Sequence, residues 1–508
     1  MKNISDMEYH RKTEEIVKIV CQKTQNTDPL FFRVLTNYYL MVMASMMRCN
    51  INTKDRGVIP VNMYAINLGN SGLGKGYATN ILEEHVIDKF RDKFLNETFN
   101  IIADINIAKV AVDRSKIKGS DPEDELSKAI KEFNAIGPLL FSFDSGTSPA
   151  VKSMRHKLLM AKAGSMNLFI DEIGSNLLGA TDVLATFYEL YDVGKVKNKL
   201  IKHTTENLRN EEIQGNTPTN MMLLGTPSKL LDGSKVEDEL YTMLETGYAR
   251  RCFFGYSDRS SSLKQLSPEE IYELTTDSTA DATLERFSKE FENLADIGNF
   301  NMSINMSKKV TLLLIEYRVK CEKKASQLPD HDEMRKTEVE HRYFKAMKVA
   351  GGYAFIDRSS EVTEDHLYNA IKFTEESGEA FSRILTRERN YVKLAKFIST
   401  VEGEVTHADL VEDLPFYKGT ENQKRELLNL AIAYGIKNNI VIKKSFVGGV
   451  EFLSGDSLKE TDLNEMIVSY STDWTEGYSN ERVPFDSLHK LTQQSDYHWI
   501  NHHLIEDK

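Results

Sequence analysis

A chain of 508 residues is too long for one compact core and predicts about three domains. Its 41% hydrophobic and 28% charged residues exclude disordered and fibrous classes, and its net charge of −12 excludes a generally basic nucleic-acid coat, so any phosphate-backbone contact must be local. The four cysteines (Cys21, Cys49, Cys252, Cys321) form no CxxC or Cys/His cluster, which argues against a zinc site or disulfide framework and for a reducing compartment.

The N-terminus, MKNISDMEYHRKTEE, has no apolar signal core, so the expected location is the cytoplasm, the host's if the gene is phage-borne. Residues 5–50 read as helical. YYLMVMASMM (38–47) is about half a membrane span and reads as a buried helix, with no membrane partner. VNMYAINL (61–68) reads as a buried strand, the glycine-rich GNSGLGKG (69–76) as a turn, and YATNILEEHVIDKFRDKFL (77–95) as a helix. A charged segment (104–136) leads to a second apolar strand, GPLLFSFD (137–144), and to a helix capped by Ser148 and begun by Pro149. MNLFI (166–170) and MMLLG (221–225) are third and fourth strands, ending at Asp171-Glu172 and Thr226. Strands alternating with helices predict a mostly parallel α/β sheet, with Lys75, Asp171, Glu172 and Thr226 at its carboxyl edge.

Strand, glycine turn and helix in that order make a phosphate-binding loop of Gly69, Asn70, Ser71, Gly72, Gly74, Lys75, Gly76 and Tyr77. In such a loop backbone N–H groups face the phosphates, glycines remove obstructing Cβ atoms, and lysine neutralises the β and γ oxygens. An ordinary strand-to-helix turn shares those glycines, and the acidic strand end weighs against it. Asp171 is the candidate holder of Mg²⁺, and Glu172 the residue that polarises the attacking water of ATP hydrolysis. Thr226 can contact the γ-phosphate or that water, or serve only as turn chemistry before Pro227. Arg250 or Arg251, in GYARRCFFGY, is a candidate arginine finger for a neighbouring subunit, with a solvated basic pair as the alternative.

The succession GNSGLGKG, DSGTSPAVKSM, NLFIDEIGSNL, FYELYDVGKV, MMLLGTPSKLL and GYARRCFF over residues 30–260 resembles a family of phage and mobile-element P-loop ATPases often joined to primase modules. The resemblance implies an α/β P-loop NTPase core of the ASCE type, AAA+ or RecA-like, with ATP and Mg²⁺ as cofactors and a role as replicative helicase. Gly76 departs from the family's Ser or Thr, leaving Thr79 or Ser71 as the candidate Mg²⁺ hydroxyl. A looser resemblance, over HRYFKAMKVAGGYAFIDRSSEVTEDHLYNAIKF, is to the helical lid of AAA+ replicative helicases such as minichromosome maintenance proteins, and it points to Arg342 as a nucleotide contact. In ring helicases of these types a hairpin after the acidic strand faces the central pore. By that likeness Lys195, Lys197, Lys199 and Lys202 are candidates to grip single-stranded DNA.

The expected organisation is N-terminal helices (1–55), the ATPase core (56–263), an all-helical lid (264–388), three helices and a β-hairpin describing a winged helix (389–456), and an acidic aromatic tail (457–508). Lys424, Arg425, Lys443 and Lys444 suit a weak backbone contact. The tail, with Trp474 and Trp499, suits docking to a primase or another replisome protein, and its His498, His502 and His503 do not argue for metal. The leading expectation is a ring, hexameric by likeness, that hydrolyses ATP between subunits and moves on single-stranded DNA. Rival expectations are a nucleotide-gated helicase loader and a winged-helix DNA-binding regulator.

Overall fold

The computed structural model describes residues 1–195, 215–233, 235–257, 266–401 and 403–457. The chain divides into two units, Met1–Thr386 and Arg387–Lys508.

The first unit is mixed α/β. Its strands in chain order are β1 (Asn50–Thr53), β2 (Gly57–Pro60), β3 (Tyr64–Gly69), β4 (Met166–Ile170), β5 (Thr219–Gly225), β6 (Cys252–Ser257), β7 (Ser303–Met306) and β8 (Glu361–Val362). Four of them form a wholly parallel sheet in the order β4-β5-β3-β6. β3 and β5 are buried along their whole length. Burial on both faces is why they read as continuous apolar runs and not as alternating ones.

The expected strand at 137–144 is instead an irregular segment with one parallel bridge, Phe143 to Leu168. Side chains supplement the two backbone bonds of that bridge, Phe143 N–H to the Asn167 carbonyl and Phe169 N–H to the Phe143 carbonyl. Asn167 Nδ2 donates to the Phe141 carbonyl at 2.6 Å and Lys157 Nζ to the Gly137 carbonyl at 2.5 Å. The following helix, Ser148–Ala161, is capped one residue earlier than expected, by Thr147, whose side chain accepts from the Ala150 N–H.

The helix Leu30–Met46 is buried at every position and packs against β3, β5 and β6, so this apolar run lies in the middle of the unit. Arg33 enters that core fully paired. Its guanidinium meets Glu14 at 2.9 Å and Glu376 at 2.6 Å, and stacks on the Tyr9 ring at 3.7 Å.

The region expected to be an all-helical lid is not all helical. Besides the helices Lys308–Ser326, Glu333–Ile356 and Glu364–Leu385, it contributes β7 and β8 to a second sheet, ordered β2-β1-β7-β8. That sheet ties residues 50–60 to residues 303–306 and 361–362. The N-terminal helices, the parallel sheet and the later helices therefore share one core.

The second unit has helices Asn390–Thr400, His407–Asp413 and Glu421–Lys437. Its strands are the short β9 (Val405–Thr406) and the antiparallel pair β10 (Ile440–Val447) and β11 (Val450–Ser457), with β9 beside β11. Thr406 with Asp409, and Thr420 with Gln423, form capping boxes that start the second and third helices. Gly448 and Gly449 both take positive φ (61° and 85°), which a two-residue hairpin turn requires. Leu394, Ile398, Leu410, Leu428 and Leu453 form its core. The tail read as a docking segment lies outside the described residues. Among the described residues no helix is long and apolar enough to cross a membrane.

Candidate nucleotide site

Parallel pairing puts the ends of β3, β5 and β4 at one edge, Leu68 opposite Gly225 and Ile170 opposite Leu223. The glycine loop, Asp171-Glu172 and Thr226 all follow those ends. Lys75 begins the helix Lys75–His85, and the loop before it turns through positive φ at Gly72 (84°) and Gly74 (81°). Only glycine takes such angles without strain. Lys75 Nζ reaches back over the loop to donate to the Gly69 carbonyl at 3.0 Å and across to Thr226 Oγ1 at 2.8 Å. Thr226 in turn donates to Glu172 Oε2 at 3.4 Å, and Lys229 Nζ lies 3.7 Å from the same oxygen. One polar chain thus crosses three strand ends.

Burial lowers the Lys75 ammonium below its ordinary value, while Glu172 and Asp171 work in the opposite direction. Asp171 is exposed and lines an open pocket with Ser142, Phe143, Asp144, Ser145 and Phe169. Asn70 is partly exposed, and Ser71, Gly76 and Tyr77 are exposed, so the loop's outer face is accessible. A Cβ built on Gly76 meets nothing within 4 Å, so the absent hydroxyl is not excluded by space. Thr79 departs from its expected role as a Mg²⁺ ligand: it is buried and its hydroxyl donates to the Lys75 carbonyl of its own helix at 3.1 Å.

No protein-family model matches the chain, and no curated protein matches it significantly.

Two supports of the loop carry no sequence signal. Buried Asn26 donates from Nδ2 to the Leu73 carbonyl at 2.9 Å, and the Thr24 methyl lies 3.3 Å from where a Gly74 Cβ would stand. Both lie just past the helix Arg11–Lys23, far upstream of the loop, in a segment without any motif. Lys229, on the turn after Thr226, carries no signal of its own either.

The two arginines separate. Arg251 is buried, donates to Asp192 Oδ2 at 3.2 Å and to the Gly247 carbonyl at 3.1 Å, and lies 4.1 Å over the Tyr188 ring. Arg250 beside it is half-buried. Both precede β6, whose first residue, Cys252, pairs with Tyr64, whereas the loop begins at Gly69. Five residue steps separate Tyr64 from Gly69, about 17 Å at 3.3 Å each. The arginines therefore sit at the amino edge, opposite Lys75.

Arg342 does not stand open to a ligand, because both ends of its guanidinium are engaged inside the helices. Nε and Nη2 donate to Glu338 at 3.0 and 2.8 Å, and Nη1 to Glu375 at 2.8 Å. Lys345 joins them, donating to Glu338 at 2.7 Å and to the Cys252 carbonyl at 2.9 Å. Burial opposes the Glu338 charge, yet Lys345 and Arg342 outweigh it and hold its pKa at about 2.

Of the DNA candidates, Lys195 is exposed, and Lys197, Lys199 and Lys202 lie outside the described residues. Among the described residues no group of three or more His, Cys, Asp or Glu stands ready for a metal ion. A Mg²⁺ at Asp171 would have to complete its shell with phosphate and water, the mode usual for this ion.

Proposed function

We propose that the chain is an ATP-dependent DNA helicase or translocase of phage-type replication that works as a ring. The observation that carries the reading is the chain Lys75–Thr226–Glu172 across three parallel strand ends. One strand, β5, stands between the loop strand and the acidic strand, which suits the additional strand of an ASCE-type core. In this reading the loop N–H groups and Lys75 bind the β and γ phosphates, and Asp171 holds Mg²⁺ with phosphate and water. Glu172 accepts the proton of the attacking water, and Thr226 keeps Glu172 and Lys75 in register. Mg²⁺ supplies charge neutralisation at the phosphate oxygens.

The ring rests on distance. Arg250 stands at the opposite sheet edge from its own Lys75, so it serves a neighbour's nucleotide if it serves one. Arg251, already paired with Asp192, is the residue that fixes the segment. The DNA part of the reading rests on the family resemblance and on Lys195.

ATP turnover with and without single-stranded DNA, beside unwinding of a forked duplex, tests the whole. Wild type is expected to show DNA-stimulated turnover and unwinding, and Arg250→Ala to lose turnover while still binding nucleotide. An assembled ring that neither responds to DNA nor unwinds would overturn the helicase reading.

A further inference from the structure

The amino edge of the parallel sheet carries more positive charge than it neutralises. Arg251 pairs with Asp192, and Arg342 and Lys345 pair with Glu338 and Glu375, so three cations there meet three carboxylates. Among the described residues Lys348 bonds only to carbonyls and to Asn62. Arg250 is left over. Among the described residues it has no carboxylate partner, and its Nε is buried without an acceptor. A half-buried guanidinium short of acceptors is a costly arrangement unless an anion completes it.

Two further polar groups belong to the same place. Glu338, His341, Lys345 and Lys348 follow one another at steps of three, four and three residues on the helix Glu333–Ile356, which puts them on one face. That face meets the Cys252 carbonyl through Lys345 and the Tyr191 carbonyl through Lys348, so His341 stands on the side of the helix that packs on residues 249–251. Its Nδ1 is buried and makes no hydrogen bond. Burial, and after it the charge of Arg250, lowers the His341 pKa to about 4; Lys345 and Arg251 add to this and Asp192 opposes it. Tyr188 completes the set. Its hydroxyl lies 3.3 Å from where a Gly247 Cβ would stand, and Gly247, at φ 114°, holds an angle that only glycine takes without strain. Gly247 belongs to the π-helical turn Leu244–Tyr248 just before Arg250, a geometry that proteins concentrate at functional sites. Burial raises the Tyr188 phenol, and Arg251 and Arg250 more than reverse it, which makes its O–H a better donor.

We infer that Arg250, His341 and Tyr188 form an oxyanion site that takes a phosphate group. The planar guanidinium of Arg250 supplies two parallel donors to two phosphate oxygens, and the Tyr188 hydroxyl supplies a third. His341 is neutral without the anion and takes up a proton when it arrives, because a negative charge beside it offsets the repulsion from Arg250. The excess charge of the edge suits the double charge of a terminal phosphate better than the single charge of a carboxylate or a phosphodiester. The site stands whether or not the chain forms a ring. Its source as the terminal phosphate of a neighbouring copy's nucleotide rests on the ring reading proposed above.

Inorganic sulfate is the probe, because it is tetrahedral and keeps its double charge over the working pH range. Calorimetry uses the full chain carrying Lys75→Ala, which removes the cation of the glycine loop and leaves the amino edge to bind the anion. One sulfate is expected to bind. Arg250→Ala on that background is expected to weaken it about tenfold or more, the share of a charge-assisted pair, and Tyr188→Phe several-fold. With His341 in place, binding is expected to tighten as pH falls from about 7.5 to about 5.5, and His341→Asn to remove that dependence. Where Arg250→Ala does not fold, Arg250→Lys, which keeps the charge and loses the fork, is expected to weaken binding several-fold. Affinity unchanged by substitution of Arg250, or a pH dependence that survives His341→Asn, overturns the site. For the source, copies carrying Arg250→Ala and loaded with a non-hydrolysable ATP analogue are added; their nucleotides are expected to reach the intact Arg250 of the Lys75→Ala chain and displace the sulfate. Displacement by single-stranded DNA instead overturns the neighbour's nucleotide as the source. Sulfate held by Arg250 in a chain that never associates keeps the site and overturns the ring, so the two readings fail separately.

Discussion

The two edges of the parallel sheet are built differently. At the carboxyl edge Lys75, Asp171 and Glu172 are exposed or half-buried, and Glu172 Oε2 lies 3.4 Å from Thr226 Oγ1 and 3.7 Å from Lys229 Nζ. At the amino edge Arg251, Lys345, Lys348, Glu338 and Arg342 are buried and held by bonds to carbonyls and carboxylates, most of them shorter than 3.2 Å. Accessible polar groups can take up a further partner, and buried, saturated ones fix a framework. One sheet thus has two different edges: the open one leaves its polar groups accessible, and the closed one holds a rigid framework.

The largest expected effect comes from breaking the closed edge. Glu338→Ala leaves Arg342 and Lys345 charged in the core with half their partners removed, which costs about 3–5 kcal/mol. Denaturant unfolding measures it. A loss below about 1 kcal/mol would mean that this edge is not the rigid framework its burial implies.

Substitution at the open edge should leave stability nearly untouched and remove turnover instead. Glu172→Gln keeps the shape of the side chain but cannot accept a proton, so ATP turnover falls about 10²–10⁴-fold, the usual contribution of a general base. Unfolding free energy should move by less than about 0.5 kcal/mol, as at other accessible positions. Retained turnover would remove Glu172 from the chemistry.

A smaller effect distinguishes the edges by pH. Lys348 donates to the carbonyls of Tyr191 (2.8 Å) and Asp192 (3.2 Å) and to Asn62 Oδ1, and burial lowers its ammonium from 10.5 to about 7. Between those values the unfolded chain binds the proton and the folded chain does not, so Lys348 makes stability rise with pH from about 7 to 10.5. Lys348→Met abolishes that contribution. It also leaves those acceptors without their donor, at roughly 1–3 kcal/mol. The stability difference between wild type and variant, followed from about pH 7 to about pH 10, should therefore widen; a difference that stays flat would show a lysine that keeps its proton.

The open edge is legible in the sequence and the closed edge is not. Glycines before Lys75 and acids after an apolar run are local signals, and parallel pairing alone then gathers them at one edge. By contrast Glu338, Arg342, Lys345 and Lys348 occupy a helix as ordinary charged residues, and only packing with residues 249–252 and with residues 191–192 shows why they are buried. For the same reason Arg342 reads as a ligand contact, although its partners Glu338 and Glu375 hold it inside the helices. The strands β1, β2, β7 and β8 leave no trace in the pattern because two to four residues are too few for alternation to register. Segment 137–144 misleads in the other direction: it is apolar enough for a strand, but Pro138 lacks an N–H and Asn167 takes the Phe141 carbonyl.

Gly76 gives the smallest effect and the finest test of the open edge. It is the second residue of the helix Lys75–His85, where serine is favoured over glycine by a few tenths of a kcal/mol, and no atom lies within 4 Å of an added Cβ. Gly76→Ser should therefore leave unfolding unchanged or raise stability slightly. Its hydroxyl stands next to Lys75, the position from which a phosphate loop reaches Mg²⁺. If Asp171, phosphate and water hold the ion in wild type, the variant should bind Mg²⁺–nucleotide several-fold tighter, and the Mg²⁺ concentration for half-maximal turnover should fall. An unchanged Mg²⁺ requirement would place the ion away from residue 76 and remove the reason for treating this glycine as a missing ligand.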